Sequence, residues 1–456
     1  MSDISNILSQ LNTDSKARQR LSFLFDNGEF TEIGAFAKAG DNFSGVITAY
    51  GYVEGNPIYA FSQDIEVNSG ALTKVQADKI VKIYDLAAKT GVPVVGIYDS
   101  FGADLSDGIN AMTAYGELLM WASNLSGVVP QIAVVAGTCA GCAAMLAAAA
   151  DFVVATSDSD IFVTPNTSVK NLAENSAKCG LVSIVAESDR EAVEAAKRIL
   201  LKLPQNNLSP VPMYEFEQTG AEFGRTASEN ACAICDADSI IEISEAYGTS
   251  AYTALASIGG ATVGICATNK ADAKLTADDC SKLARFVRTC DAFAVPVITL
   301  VDTEGFETSD DAEISGAVKN MSKLAHAYAE ATTIKLAVVT EKAYGPAYIA
   351  LAGKGANADM VFALPNAVIS PLNPLTAVEF LSHSALVGTT DVNVAREGLA
   401  ADYIQNNASA VVAATKGSVE AIVEPKDVRE ALVNAIEIMA GKRISRLPKK
   451  HSNIPM

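Results

Sequence analysis

The chain has 456 residues, 49% of them hydrophobic and 19% charged, enough apolar content for roughly two or three buried cores and too much for a disordered or fibrous chain. Its 34 Lys and Arg stand against 53 Asp and Glu, for a net charge of -19. Sequence-independent binding to nucleic acid or to an anionic membrane therefore has no electrostatic basis, and nucleic acid is not an expected partner.

The opening segment MSDISNILSQLN has neither the basic stretch nor the apolar core of a secretion signal, so a cytoplasmic protein is expected. The first informative element starts at Lys79, where KIVKIYDLAAKTGVPVVGIYDSFGA reads as a helix, a turn, a buried strand over Val92 to Tyr98 and a Gly-bearing loop. Next comes an uncharged stretch from Ile132 to Ala150, long enough for a membrane span. It is rich in Ala and Gly and lacks Lys or Arg anchors. The better reading is a strand from Ile132 to Ala136 after Pro130, punctuated by Gly137, then a small-residue helix. ADFVVA from Ala150 supplies a further strand. QNNLSPVP carries turn chemistry and marks a boundary near residues 205–235.

Beyond that boundary the order repeats. KLARFVRTCDAFAVPVITLVDTEGF starts at Lys282, 203 residues after Lys79. The offset aligns Pro93 with Pro296, Asp99 with Asp302 and Gly102 with Gly305. Its helix places Leu283, Phe286, Val287 and Cys290 on one face, and its strand spans Val295 to Val301. QIAVVAGTCAGCAAM is answered by IKLAVVTEKAYGPAYIA, aligning Gly141 with Gly345 and Ala143 with Ala347, and ADMVFAL from Ala358 closes the copy. The expectation is an α/β chain of two tandem domains related by internal duplication, 1–220 and 221–456.

The repeated strand, Gly turn and helix carry the candidate chemistry. The first N–H groups of such a helix have no intrahelical partner, and small residues at Gly141, Cys142, Ala143, Gly345 and Ala347 let a ligand oxygen approach them. That describes a main-chain oxyanion hole in each half. The eight cysteines lie in apolar or helical patterns and read as reduced thiols. The pairs Cys139/Cys142 and Cys232/Cys235 are flanked by Ala and Ile rather than turn residues, so no metal is expected.

The sequence resembles the carboxyltransferase subunits of biotin-dependent acyl-CoA carboxylases and decarboxylases, the propionyl-CoA carboxylase beta chain and methylmalonyl-CoA decarboxylase alpha chain family. The likeness runs from KARQRLSFLFDNGEFTEIG through FSQDIEVNSGAL, GVPVVGIYDSFGA, SGVVPQIAVVAGTCAGCAA, LPQNN and KAYGPAYIAL to the tail PKKHSNIPM. It implies two crotonase-like (ClpP/crotonase) domains, with an acyl-CoA held mainly by the first and biotin brought to the second at a dimer interface. It also implies that the amides at Cys142 and Ala143 polarise the thioester carbonyl, and that Pro346 and Ala347 stand where a second pair meets the biotin ureido oxygen. Ser100, Gly102 and Gly141 are expected beside the acyl-CoA, Tyr344 and Gly345 beside biotin. The family's biotin-bearing MKM triplet does not occur, so biotin is expected on a separate carrier protein, and without a GxxxxGK[ST] loop any ATP-driven carboxylation of it is expected elsewhere. The implied partners are that carrier, a biotin carboxylase or a membrane decarboxylase subunit, and further copies of the chain, from dimer to hexamer.

Several positions depart from the family pattern. Pro346 replaces a Gly and has no N–H; Cys142 replaces a Gly but keeps its N–H. Phe101 and Asp104 make FGAD where GGAR is usual, which weakens the usual CoA contact, and Lys319 and Asn320 stand where Arg and His are usual. Loops around 166–180 and 220–240 look shortened. Two rival readings follow. One is a non-catalytic or altered-substrate paralogue that keeps the fold. The other is a hydrolase using Cys139 in the elbow-like run Gly137-Thr138-Cys139-Ala140-Gly141. His326 reads as a packed helix residue, and His383 and His451 have no assigned role.

Overall fold

Proline decides where one central strand begins in each half of the chain. Pro93 and Pro296 have no N–H to give a ladder, so the strands start one residue later, at Val94 and Val297, and run on to Ser100 and Thr303. Both are two residues further along than the apolar pattern alone places them. Asp99 and Asp302 therefore lie inside the strands, and this matters for the site. The computed structural model describes residues 14–39, 42–164, 172–269, 274–351, 353–356, 358–445 and 447–455. Part of the shortened loop expected at 166–180 and the opening segment MSDISNILSQLN lie outside the described residues.

The chain divides into two units, Met1–Pro210 and Val211–Met456. In the first, helix α1 (Lys16–Leu24) precedes β1 (Phe30–Ile33), β2 (Val46–Val53) and β3 (Asn56–Gln63). Helix α2 (Lys74–Thr90) leads into β4 (Val94–Ser100), and α3 (Ile109–Leu125) into β5 (Gln131–Ala140). Helix α4 (Cys142–Ala148), β6 (Phe152–Thr156), β7 (Asp160–Phe162), β8 (Ile184–Ala186) and α5 (Asp189–Lys202) follow. The strands lie in the order β1-β2-β3-β4-β5-β6-β8, antiparallel as far as β3 and parallel beyond it, with β7 parallel beside the end of β5.

The second unit repeats this plan. Its elements are α6 (Ala227–Ile234), β9 (Ile241–Glu242), β10 (Ala251–Ile258), β11 (Ala261–Thr268), α7 (Ala277–Ala292), β12 (Val297–Thr303) and α8 (Ala317–Glu330). They continue with β13 (Lys335–Tyr344), α9 (Pro346–Ala350), β14 (Met360–Ala363), β15 (Val368–Ser370), β16 (Ala421–Ile422) and α10 (Val428–Met439). The order β9-β10-β11-β12-β13-β14-β16, with β15 beside β13, matches the first sheet strand for strand. The duplication extends to single hydrogen bonds. Thr73 and Thr276 cap α2 and α7, each with its N–H given to the side chain three residues on, at 2.7 Å. Leu72 and Leu275 donate to Gly102 O and Gly305 O at 2.8 and 3.0 Å.

The apolar face expected on α7 is in the core: Leu283, Phe286, Val287 and Cys290 are all buried. The stretch that mimics a membrane span is the buried strand β5 and the short helix α4, and among the described residues no helix is long and apolar enough to cross a membrane. One expected feature differs. Gly137 does not end the strand, which continues to Ala140 through a register shift opposite Tyr98 and Ser100.

The side chain of Asp99 causes that continuation. Its Oδ1 accepts the Thr138 N–H at 3.1 Å, taking a ladder partner's place, and a Cβ on Gly137 would lie 2.5 Å from that oxygen. In the second sheet Asp302 Oδ1 accepts the Lys342 N–H at 3.2 Å, again at a register shift. Burial pushes the pKa of both carboxyl groups above the usual carboxylate range, against the opposing pull of Arg20 on Asp99 and of the Lys342 N–H on Asp302. Arg20 of α1 is itself buried, bonded to Asp99 Oδ2 at 2.9 Å, to Asp189 Oδ2 at 2.7 Å and to the Ala136 carbonyl. Asp99→Ala would leave that guanidinium short of its buried partner and is expected to cost about 3–5 kcal/mol of stability. Urea unfolding followed by circular dichroism measures it; a loss below ~1 kcal/mol would mean the pair does not hold the bulge.

Candidate active site

Each pinned strand ends in a glycine whose backbone only glycine adopts readily. Gly141 has φ 56° and ψ -120°, Gly345 φ 59° and ψ -141°. The N–H of each is spent on the short neighbouring strand, Gly141 on Phe162 O and Gly345 on Ser370 O, both at 2.9 Å. These two glycines therefore supply the turn and the room for close approach, not a donor. The donors come after them. In the first unit Cys142 and Ala143 open α4, and the first N–H groups of a helix lack intrahelical partners. Ala143 is fully buried and Cys142 half-buried, so the pair sits at the rim of the core.

Gly102 lies against this pair. A Cβ built on it would be 2.9 Å from Ala140 O and 3.9 Å from the Cys142 N, and its φ is +98°. Ser100, at the end of β4, is fully buried and its Oγ accepts the Gly102 N–H at 3.0 Å. The structure thus brings Ser100, Gly102, Gly141, Cys142 and Ala143 to the ends of two adjacent parallel strands, where open α/β sheets bind ligands. Asp104 is not aimed at a ligand there. It is buried, and its carboxylate accepts Ser106 Oγ at 2.6 Å, Ser106 N at 2.7 Å and Asn68 Nδ2. The Ser106 hydroxyl is the first cause of a carboxyl pKa held below the usual range. The stability this gives is present above the unfolded-state pKa and is lost as pH falls through the lower folded one. Phe101 is exposed.

The second turn has the same backbone and a different chemistry. Gly345, Pro346 and Ala347 occupy the corresponding places, with Ala347 fully buried and Pro346 exposed. Pro346 fits the first helical position, where its missing N–H breaks no helical bond, yet it removes a donor. The surroundings are acidic: Lys342 Nζ lies 3.5 Å from Glu304 Oε1, and burial followed by Glu304, Glu341 and Asp302 pushes the Tyr344 hydroxyl up to about 12.

The elbow reading is corrected by this geometry. Cys139 is an internal residue of β5 rather than the apex of a turn, it is 0% exposed, and burial pushes its thiol up to about 12. The first unit also contains no histidine. His326 is half-exposed on α8, 3.8 Å from Glu330 Oε2, and Asn320 bonds Gly316 O and Ser281 Oγ at 3.2 Å. Among the described residues no three His, Cys, Asp or Glu side chains converge to hold a metal ion.

A family model described as the carboxyl transferase domain matches residues 13–454. The chain belongs to the carboxyl transferase family. This carboxyl transferase is 33% identical to the methylmalonyl-CoA decarboxylase subunit alpha of Propionigenium modestum, over 96% of this chain and 93% of the relative. It is 33% identical to the propionyl-CoA carboxylase beta chain of Saccharopolyspora erythraea, over 96% and 90% of the two chains. Among solved structures it is similar to a transcarboxylase 12S crystal structure with methylmalonyl-coenzyme A and methylmalonic acid bound, described as a hexamer assembly. The TM-score is 0.91 at 31% identity, covering 100% of this chain and 95% of the other. The fold is therefore the α/β, crotonase-like one expected from the repeat and the resemblance.

Sequence reasoning missed the groups whose hydrogen bonds hold this turn from behind, Arg20, Ser159 and the carbonyl of Phe162. Ser159 Oγ accepts the Gly137 N–H at 3.2 Å and donates to Val135 O at 2.8 Å. Only KARQRL, quoted above without a role, carried a signal, and only for Arg20. With iodoacetamide, Cys179 and Cys232, which are exposed, are expected to react first and Cys142 next. Cys139, Cys235, Cys266, Cys280 and Cys290 should react only on unfolding, as followed by peptide mass spectrometry; early labelling of Cys139 would restore the elbow.

Proposed function

We propose that this chain is the carboxyltransferase subunit of a biotin-dependent acyl-CoA carboxylase or decarboxylase, moving a carboxyl group between a CoA thioester and biotin on a separate carrier protein. The observation that carries the reading is the turn Gly141-Cys142-Ala143, with its left-handed glycine, its two helix-start donors and Gly102 packed against them. Those donors suit an enolate oxygen. As the α-carbon loses its carboxyl group or proton, negative charge collects on the thioester oxygen, and fixed N–H groups stabilise it without a titrating side chain. The thioester carbonyl takes the Cys142 and Ala143 amides, and Gly141 admits it closely. Biotin supplies the atom that accepts or releases the carboxyl group. At the second turn the Ala347 N–H remains to orient a ureido oxygen, and Tyr344 and Gly345 shape its approach. In this reading the unit 1–210 serves the acyl-CoA and the unit 211–456 serves biotin. The chain works in the cytoplasm as a homo-oligomer with a biotin carrier and either a biotin carboxylase or a membrane decarboxylase subunit.

The test is incubation of the protein with free biotin and a panel of carboxylated acyl-CoA esters, with the decarboxylated product measured. Biotin-dependent turnover is expected. Ala143→Pro removes a donor and should lower kcat roughly a hundred- to a thousandfold; full activity in that variant removes Ala143 from the site. Pro346→Gly restores an N–H and should preserve or raise turnover, whereas a large fall would show that the proline turn is itself functional.

Pro346 and the carboxylates around Tyr344 favour one other reading, a paralogue that has kept the fold and acyl-CoA binding but lost biotin chemistry. It predicts binding of CoA esters with no transfer in wild type or in Pro346→Gly.

A further inference from the structure

Behind the first turn lies a group of buried polar side chains to which the reaction above gives no part. Tyr115 of α3 and Gln63, the last residue of β3, are each 2% exposed. Among the described residues neither the Tyr115 hydroxyl nor the Gln63 amide oxygen completes a hydrogen bond. The polar neighbours of that hydroxyl are Ser100, Gln63 and the thiols of Cys139 and Cys142. Strand alternation puts Gln63 on the same sheet face as Phe61, and Phe61, Tyr98, Tyr115, Cys139 and Ala143 share one core cluster with Cys142 packed on it. Helix α3 packs on α4, and β3, β4 and β5 run parallel, with Ser62 beside Ile97 and Ser100 beside Cys139. The ring thus packs in the core beneath the donor pair, with Ser100 and Cys142 among the hydroxyl's neighbours.

A buried hydroxyl with polar neighbours but no well-formed hydrogen bond loses its hydration and gains little in return. Phenylalanine would fill the same space without that penalty. The group is kept where its neighbours are the two residues that shape the hole: Cys142, which carries one donor N–H, and Ser100, whose Oγ holds Gly102 against that donor. Unpaired polar atoms grouped at the base of a site are what a fold retains when they act in the loaded state rather than in folding.

We propose that Tyr115 is a positioning residue for the Cys142–Ala143 donor pair, its hydroxyl, with the Gln63 amide, bracing Ser100 and Cys142 as the turn takes up negative charge. Its chemical consequence rests on the carboxyltransferase reading; its geometric consequence does not. The experiment compares Tyr115→Phe with wild type in the full chain by three readouts: melting temperature, kinetics of biotin-dependent decarboxylation, and the rate of Cys142 alkylation by iodoacetamide. The expected result is an equal or higher melting temperature, a kcat lower by roughly tenfold or more with KM for the CoA ester within about twofold, and faster Cys142 alkylation. Gln63→Met should move the three readouts in the same directions, and Tyr115→Leu, which empties ring volume, should lower the melting temperature. A Tyr115→Phe protein that melts earlier while its Cys142 rate is unchanged has lost only packing, and overturns the proposal. So does one in which kcat and the Cys142 rate both stay at wild-type values. If wild type turns over no ester, the carboxyltransferase reading fails on its own, and the Cys142 rate alone decides: a rise supports the bracing role and no change overturns it.

Discussion

An aspartate that stands in for a strand is the constraint on which the rest depends. Asp99 and Asp302 each put a carboxylate oxygen where the next ladder acceptor belongs, and the neighbouring strand shifts register around it. Without that shift the strand would run straight. With it, the last three residues of β5 and β13 pair with the short strands β7 and β15 instead, and the glycine that follows gives its own N–H to those strands. The open donors are thereby moved one residue on, to the start of the helix. A main-chain hole of the kind proposed needs donors that are fixed before charge develops, and the fixing would be done by a side chain some forty residues earlier in each half.

The two halves keep this device and differ in how they neutralise it. In the first unit Arg20 meets the other oxygen of Asp99 in a pair shielded from water, and also ties down Asp189 and Ala136 O. In the second, Asn269 in a left-handed conformation meets Asp302 and holds Arg225 O, with Lys342 contributing charge nearby. A guanidinium in the interior is costly unless it is paired and hydrogen-bonded, and all three nitrogens of Arg20 have a partner. A neutral amide needs less support. The duplicated backbone thus tolerates different side-chain solutions, as the proposed division between a thioester and a second ligand requires.

Much of this was legible in the sequence because the duplication shows through local pattern. The Val-Pro-Val runs, the aligned Asp and Gly residues and the apolar face Leu283, Phe286, Val287 and Cys290 gave strand, turn and helix in the right order. The misplaced features have one origin. Gly137 reads as punctuation because glycine in a strand usually marks a break, whereas here it makes room for the Asp99 carboxylate, a contact from a residue 38 positions earlier. Asp104 reads as a charge lost from a ligand site, while its acidity is consumed by Ser106 and Asn68 within the loop. Tyr115 was invisible for the same reason: on α3 it is one more aromatic at helical spacing, and only the fold shows which strand ends its hydroxyl faces.

The proline at the second turn shows what such a scaffold can absorb. At the first helical position Pro346 costs no hydrogen bond of the helix, its φ suits the position, and it stands exposed. Ala347 is as deeply buried as Ala143, and Gly345 holds nearly the same backbone angles as Gly141. Folding therefore exerts no pressure against the proline; only chemistry can. A ureido oxygen facing one N–H among carboxylates would be less stabilised as an anion than a thioester oxygen facing two. In the proposed carboxyl transfer the asymmetry would make the second turn the weaker of the two holes, so that the energetic demand of the reaction would fall on Cys142 and Ala143 and on whatever keeps them in place.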